Sequence, residues 1–115
     1  MRLVETYRIV VFIPAEDVEE LLSAVRRVTD LCYGDYLGVS WTSTDGEERY
    51  TPMEGASPTV GTVGNQEVVR VSRVEFSIPR DREILERVLL EAIYPTHRWE
   101  EPVISVAETL DARRH

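Results

Sequence analysis

Apolar and polar residues alternate along some stretches of this 115-residue chain and recur at helical spacing along others, and their order predicts the fold. From Val4 to Ile13, Tyr7, Ile9, Val11 and Ile13 share one face of an extended segment, and Val10 and Phe12 make the opposite face apolar too. A strand apolar on both sides is a central strand covered on both sides. Pro14 ends it. Ala15 to Val28 then carries Val18, Leu21, Leu22, Val25 and Val28, the stripe of an amphipathic helix. Glu16, Asp17, Glu19 and Glu20 crowd its start and Arg26 and Arg27 its end, the order that the helix macrodipole favours.

Asp30 to Gly38 is a turn region and Val39 to Thr44 a second strand. Asp45-Gly46 is a two-residue hairpin signal, with Glu48 to Thr51 as the return strand. Gln66 to Ile78 is a long strand with Val74, Phe76 and Ile78 on one face, stopped by Pro79. Asp81 to Ile93 predicts a second amphipathic helix through Ile84, Leu85, Val88, Leu89, Ala92 and Ile93. Pro102 to Val106 gives a last strand, and Asp111 to His115 a frayed, charged tail after a single domain over residues 1–110.

Strand, helix, strand, extra hairpin and loop, strand, helix, strand is the split βαβ order of an α+β, ferredoxin-like domain: an antiparallel sheet with two helices on one face. The other sheet face then displays Val10, Phe12, Val69 and Val71 with no third helix to cover them. Association of subunits through that face is the expected remedy.

Composition changes this picture little. The formal charge of −8 and the pI near 4.7 argue against a nucleic-acid partner. Arginine supplies all 13 basic residues, which suits bidentate pairing with carboxylates but is equally explained by genomic base composition. The single cysteine, Cys32, cannot form an internal disulfide, and the longest apolar run, Ile9 to Ile13, is too short to span a bilayer. A cytoplasmic home, with no membrane partner, is expected.

The segment from Tyr50 to Gly64, Y-T-P-M-E-G-A-S-P-T-V-G-T-V-G, is a shaped loop. Glycine serves where the chain needs positive φ or close approach, and proline fixes φ. With Arg49 and Asn65 at its ends it resembles a loop of the form F-R-P-x-E-G-x-x-P-x-x-G-x-x-G in the central inserted domain of the bacterial Nif-three-like (dinuclear-metal) family. A later H-P-Y-E-E-P motif of that domain is matched by His97-Arg98-Trp99-Glu100-Glu101-Pro102, with Arg98 and Trp99 as the departures. The opening from Tyr7 to Val25 is similar as well. The resemblance implies a stand-alone version of an insert that is itself like CutA and PII proteins, whose subunits usually gather as trimers. The family's metal-bearing catalytic halves have no counterpart in this chain. A homotrimer is therefore expected, with the 44–64 loop where PII proteins carry their partner-binding loop.

His97 with Glu100 and Glu101 is the sole cluster of histidine and carboxylate. Imidazole and carboxylate suit a divalent transition metal, and the expected ligand set is His97, Glu101 and Glu54. The plainer account gives Glu100 or Glu101 hydrogen bonds from the loop backbone, with His97 orienting it. Glu54, Gly55, Gly61 and Gly64 are the candidates for contact with another bound ligand, although Gly61-Thr-Val-Gly64 lacks the phosphate-loop pattern. Cys32 has no partner cysteine, and one usable histidine leaves little room for acid–base catalysis. The sequence favours a small oligomeric sensor or accessory protein, not an enzyme, that binds a ligand or metal. A metal-assisted hydrolase using His97 and Glu101, or a structural oligomerisation module, are the alternatives.

Overall fold

The computed structural model describes residues Met1–His115. Its first strand, β1 (Arg2–Ile13), runs through the middle of the sheet, and a 3-10 turn over Ala15–Asp17 leads into α1 (Val18–Val28). Two short edge segments, β2 (Trp41–Thr42) and β3 (Gly46–Tyr50), precede the long β4 (Glu67–Pro79). After α2 (Arg82–Arg87) the helix continues through a π-helical stretch, Val88–Ile93, into a final turn, α3 (Tyr94–Thr96). The last strand is β5 (Ile104–Arg113).

The sheet runs β5–β1–β4, with β2 and β3 both lying along the outer edge of β4, and every pairing is antiparallel. This is the ferredoxin-like arrangement with both helices on one face. The expected alternation sets the register: Ile9 lies opposite Phe76 and Val11 opposite Val74, and all four are fully buried under the helices. Leu21, Val25, Val88, Ala92 and Ile93 close the core from the helix side. The opposite face is less bare than its valines suggest. Arg8 bonds Glu75 at 3.1 Å and Ser77 at 3.1 Å, Arg73 approaches the same Glu75 at 3.5 Å, and Val71 is already buried.

Three expectations need correction. Asp45-Gly46 does not turn the chain back on itself, because β2 and β3 pair in the same direction with successive stretches of β4. The pair instead makes an irregular joint between them: Asp45 takes the left-handed conformation (φ 59°), and a Cβ on Gly46 would lie 2.9 Å from the Val71 carbonyl oxygen. The true hairpin is β3 and β4, closed by the 51–66 loop. Secondly, β5 continues to Arg113, so residues 111–113 are strand, not frayed tail. Arg2 pairs with Arg113, whose guanidinium lies 3.5 Å over the Tyr33 ring. Thirdly, the second helical rod runs past Ile93 to Thr96.

The π-helical stretch has a cause in the sequence. Apolar pairs at 84/85, 88/89 and 92/93 repeat every four residues, and such a repeat drifts about 40° per turn around an α-helix of 3.6 residues per turn. A wider turn holds the pairs over the sheet. Pro95 also lacks the N–H that an α-helical bond back to Glu91 would need. The Tyr94 N–H reaches back five residues to the Leu89 carbonyl.

At the other end of this rod the Asp81 side chain accepts from the Glu83 N–H at 2.9 Å and the Ile84 N–H at 3.3 Å. Asp81→Ala should therefore lower stability by about 1 kcal/mol in chemical denaturation, and Asp81→Asn by much less. Equal losses from the two substitutions would show that the cap contributes nothing.

Candidate functional site

The shaped loop is built from two tight turns and a tether. The Ala56 N–H bonds the Met53 carbonyl at 3.0 Å around Gly55 (φ 100°), and the Asn65 N–H bonds the Thr62 carbonyl at 3.2 Å around Gly64 (φ 85°). Both glycines hold the positive φ that such turns demand at their third residue. The Gly64 N–H closes the loop onto the Pro52 carbonyl at 2.8 Å, and the Tyr50 hydroxyl donates to the Val60 carbonyl at 2.6 Å. Gly61 (φ 105°) is also pressed against the chain, since a Cβ there would lie 2.7 Å from Cγ of Glu67.

The segment leading into β5 locks onto this loop and onto the start of α1. Glu100 accepts the Ser57 N–H with both oxygens, at 2.9 and 3.1 Å, and the Thr59 hydroxyl donates to the Arg98 carbonyl at 2.7 Å. The Arg98 guanidinium forks onto Asp17 at 2.7 and 2.8 Å and reaches Glu16 at 3.0 Å. Such planar, two-pronged pairing is geometry that lysine cannot supply.

His97 is buried at the centre of this lock, 8% exposed. The Trp99 N–H donates to its Nδ1 at 3.2 Å, so Nδ1 is the acceptor and Nε2 carries the proton that goes to the Phe12 carbonyl at 2.6 Å. Burial pushes the pKa of the ring down, and the bond to the Phe12 carbonyl offsets part of that. Both nitrogens of a neutral imidazole are thus engaged.

Between the loop, β3 and the 99–103 segment opens a cleft of about 220 Å³, lined among others by Glu48, Tyr50, Pro52, Pro58, Trp99 and Glu101. Glu48 Oε1 and Trp99 Nε1 are buried there without a hydrogen-bonded partner. Burial pushes the Glu48 carboxyl above its ordinary value, while the neighbouring indole N–H pulls it back. The two groups favour one another without meeting in hydrogen-bond geometry.

The expected site residues divide. Glu101 reaches the cleft, whereas Glu54 sits exposed at the tip of the Gly55 turn. Gly55, Gly61 and Gly64 shape the loop's backbone and do not line the cleft. No three of the chain's His, Cys, Asp and Glu side chains gather as a metal-binding group. The donor set of His97, Glu101 and Glu54 does not fit a transition metal within one subunit, because His97 has no free nitrogen to offer. The backbone-bonding role falls to Glu100. Cys32 is exposed and isolated, and burial with the nearby Asp30 raises its thiol pKa. That disfavours the thiolate a nucleophile would need.

Sequence reasoning passed over Glu48. Its signal was parity: Tyr50 turns toward the cleft, so the residue two before it does as well, and the adjacent Glu47 masked which of two acids faces inward.

No family model matches the chain. A Mycobacterium leprae protein named GTP cyclohydrolase 1 type 2 homolog is 34% identical over 97 residues, 84% of this chain and 24% of that protein. A Bacillus subtilis protein of the same name is 28% identical over 94 residues, 82% of this chain and 24% of the relative. The chain therefore spans about a quarter of the length of the curated relatives it matches. Among solved structures, a Bacillus cereus protein related to NIF3 superposes with a TM-score of 0.75 at 26% identity, over 95% of this chain and 27% of that one. The divalent ion tolerance protein CutA1 of Ehrlichia chaffeensis gives 0.65 at 9% identity, over 99% of this chain and 89% of that one. CPII, a nitrogen regulatory PII-like protein of Thiomonas intermedia K12 bound to ADP, AMP and bicarbonate, gives 0.53 at 11% identity, over 99% and 100%. The chain is thus similar to one domain of NIF3-related proteins and shares the fold of CutA1 and PII-like proteins.

The buried imidazole has a pH signature. Its folded pKa is below the ordinary 6.5, so its stabilising contribution is fully present above about 6.5 and is lost as pH falls through the folded value. His97→Gln keeps an N–H for the Phe12 carbonyl but does not titrate. The stability gap between wild type and this variant, measured by denaturant at pH 7.5, should narrow by pH 5.5, and a constant gap would show that the ring is not held neutral. A second expectation concerns the loop. Gly61→Val sets a β-branched residue at positive φ against Glu67 and should cost more than about 1 kcal/mol. An unchanged melting temperature would show that the loop accommodates the change.

Proposed function

We propose that this chain is a ligand-binding accessory domain that works as a homo-oligomer and holds a small molecule in the Glu48–Trp99 cleft. The observation that carries this reading is the contrast between the walls of the cleft and its interior. Glu100 accepts, and Thr59, Arg98 and Tyr50 donate, the hydrogen bonds that pin the walls, whereas Glu48 and Trp99, which line the cleft, each keep a buried polar atom unpartnered. Preformed concave sites with a few convergent polar groups are where small ligands bind.

The names of the similar proteins are compatible with this reading without specifying it. One fold neighbour is bound to nucleotides and bicarbonate, another is named for divalent ion tolerance, and the curated relatives are named as homologs of a cyclohydrolase. We read the role as accessory, in the cytoplasm, and the bonding of His97 supports that reading over catalysis. A hydrolase using His97 and Glu101 would need a free imidazole nitrogen, and His97 has none.

Two surfaces support self-association, with the trimer as the favoured order by likeness of fold. The ten-residue β5 is an edge strand whose Val106 and Leu110 are exposed, with Leu3 exposed on the adjoining β1. A long free edge is a template for pairing with another chain. The second surface is the sheet face carrying Val10 and Phe12, each only partly buried. Met53, Val60 and Val63 are exposed in the loop part of the 44–64 segment, beyond β3, and we assign that segment as the surface for a protein partner.

Light scattering at micromolar concentration should return a multiple of 13.2 kDa, three-fold if the trimer holds, and a mass of 13.2 kDa would end the oligomer reading. In a fragment screen by NMR, perturbed resonances should cluster on the Trp99 indole and on residues 48–59. Fragments that perturb other surfaces alone would remove the cleft as the ligand site.

A further inference from the structure

We propose that the Glu48–Trp99 cleft takes a small organic cation, a protonated amine or quaternary ammonium ion, with Glu48 as its counter-ion and Tyr50 and Trp99 as its aromatic lining; this rests on the cleft being the ligand site.

Four features of the cleft converge on that ligand class. Its volume, about 220 Å³, is below the roughly 300–1,000 Å³ of sites for drug-sized molecules and suits a compact guest. Its lining sets three carboxylates, Glu48, Glu100 and Glu101, against one guanidinium, Arg49. Arg49 is more than half exposed and leans 3.6 Å from Glu47, so it does not neutralise Glu48. Thirdly, Glu48 makes no ion pair: one of its oxygens is cut off from water, and its one favourable polar neighbour, the Trp99 indole N–H, falls short of hydrogen-bond geometry. A partly buried carboxylate so poorly partnered is costly, and a cation seated beside it would lower that cost. Lastly, tryptophan is the aromatic ring best suited to attract a cation, and tyrosine follows it.

The competing ligand classes fit less well. An anion would face those three carboxylates. A bare metal ion would need several donors, and no group of three metal-ligating side chains exists in the chain. A neutral apolar guest would leave the Glu48 carboxylate unpartnered.

Protonation of Glu48 gives the site a pH dependence. The titratable and charged groups lining the cleft with this carboxyl are Tyr50 and Arg49 on β3 and Glu100 and Glu101 on the segment entering β5, Glu67 on β4 lies across from Tyr50, and the Trp99 indole N–H is the group that acts on the Glu48 carboxyl. Burial raises the Glu48 carboxyl, so protonation competes with a cation at a higher pH than for an exposed glutamate. Affinity should rise as pH increases through that titration and then level off.

The test uses the full chain carrying Trp41→Phe, so that Trp99 is the single tryptophan. The probes are tetramethylammonium and n-butylammonium, with n-butanol and butyrate as neutral and anionic controls. Trp99 fluorescence and its indole N–H resonance give the readout, and the Trp99 variants, which hold no tryptophan, are read with the wild type by the backbone amide resonances of residues 48–59. Both cations should bind at least about ten-fold more tightly than the controls, Glu48→Gln should abolish that preference and its pH dependence, and Trp99→Leu should weaken binding where Trp99→Phe retains most of it. If Glu48→Gln fails to fold, the wild-type pH series and the Trp99 pair decide. Butanol or butyrate binding as tightly as butylammonium, or binding of cations that is unchanged from pH 8 down to pH 4, would overturn the cation assignment and leave the cleft as a ligand site. If none of the four probes perturbs Trp99, both the assignment and the cleft fall.

Discussion

The ladder between β1 and β5 stops at the Val11–Ile104 pair, and beyond it Phe12 is held by one backbone bond and by the imidazole of His97. Phe12 lies just past the last pair. Its N–H goes to the Val103 carbonyl at 3.2 Å, while its own carbonyl has no strand to bond and is taken by His97 at 2.6 Å. A buried carbonyl left without a donor would cost about 1–3 kcal/mol. The same ring accepts the Trp99 N–H, so one neutral side chain links the end of the helical rod to the central strand and aims the residue that lines the cleft. Rod, sheet and loop meet at this point, and the placement of the cleft depends on it.

Arg98 and Trp99 are where the chain departs from the motif it resembles, and both departures have contacts to show for it. Arg98 replaces a residue that could make no ion pair with one that binds Asp17 and Glu16 at the head of α1. Trp99 brings a larger ring and an indole N–H to the wall beside Glu48. The loop that shapes the cleft is therefore tied to rigid elements on two sides, the condition under which a loop's geometry persists. Glu100, whose family pattern is unchanged, supplies the third tie through Ser57.

What could be read from the chain was periodic, and what could not was reciprocal. The two-sided apolar β1, the stripe of α1 and the positive-φ glycines 55, 61 and 64 all follow from local patterning, because each depends on its own backbone or its own face. Asp45-Gly46 misled because the same residue pair that favours a tight turn also suits an irregular edge joint, and only the pairing partner on β4 decides between them. Residues 111–113 looked like a solvated tail because what holds them is distant in sequence: Arg113, beside Asp111, lies over the ring of Tyr33, a residue 80 positions earlier. His97 looked like a ligand for a related reason: a histidine beside two acids has the composition of a metal site, and its use here is fixed by a carbonyl on a distant strand.

The wide turn at Val88–Ile93 also bears on how such a chain can change over generations. A π-helical turn accommodates one residue more than the α-helical ladder would hold. Deleting one residue there would restore a regular helix, yet it would rotate everything downstream by about 100° relative to the sheet, carrying His97 away from Phe12. Lineages that retain this lock are thereby committed to the length of the helix, while the loop at 51–66, closed on itself by its own turns, is free to vary at its exposed tip. Selection on the imidazole would thus be recorded as an absence of gaps several residues upstream of it.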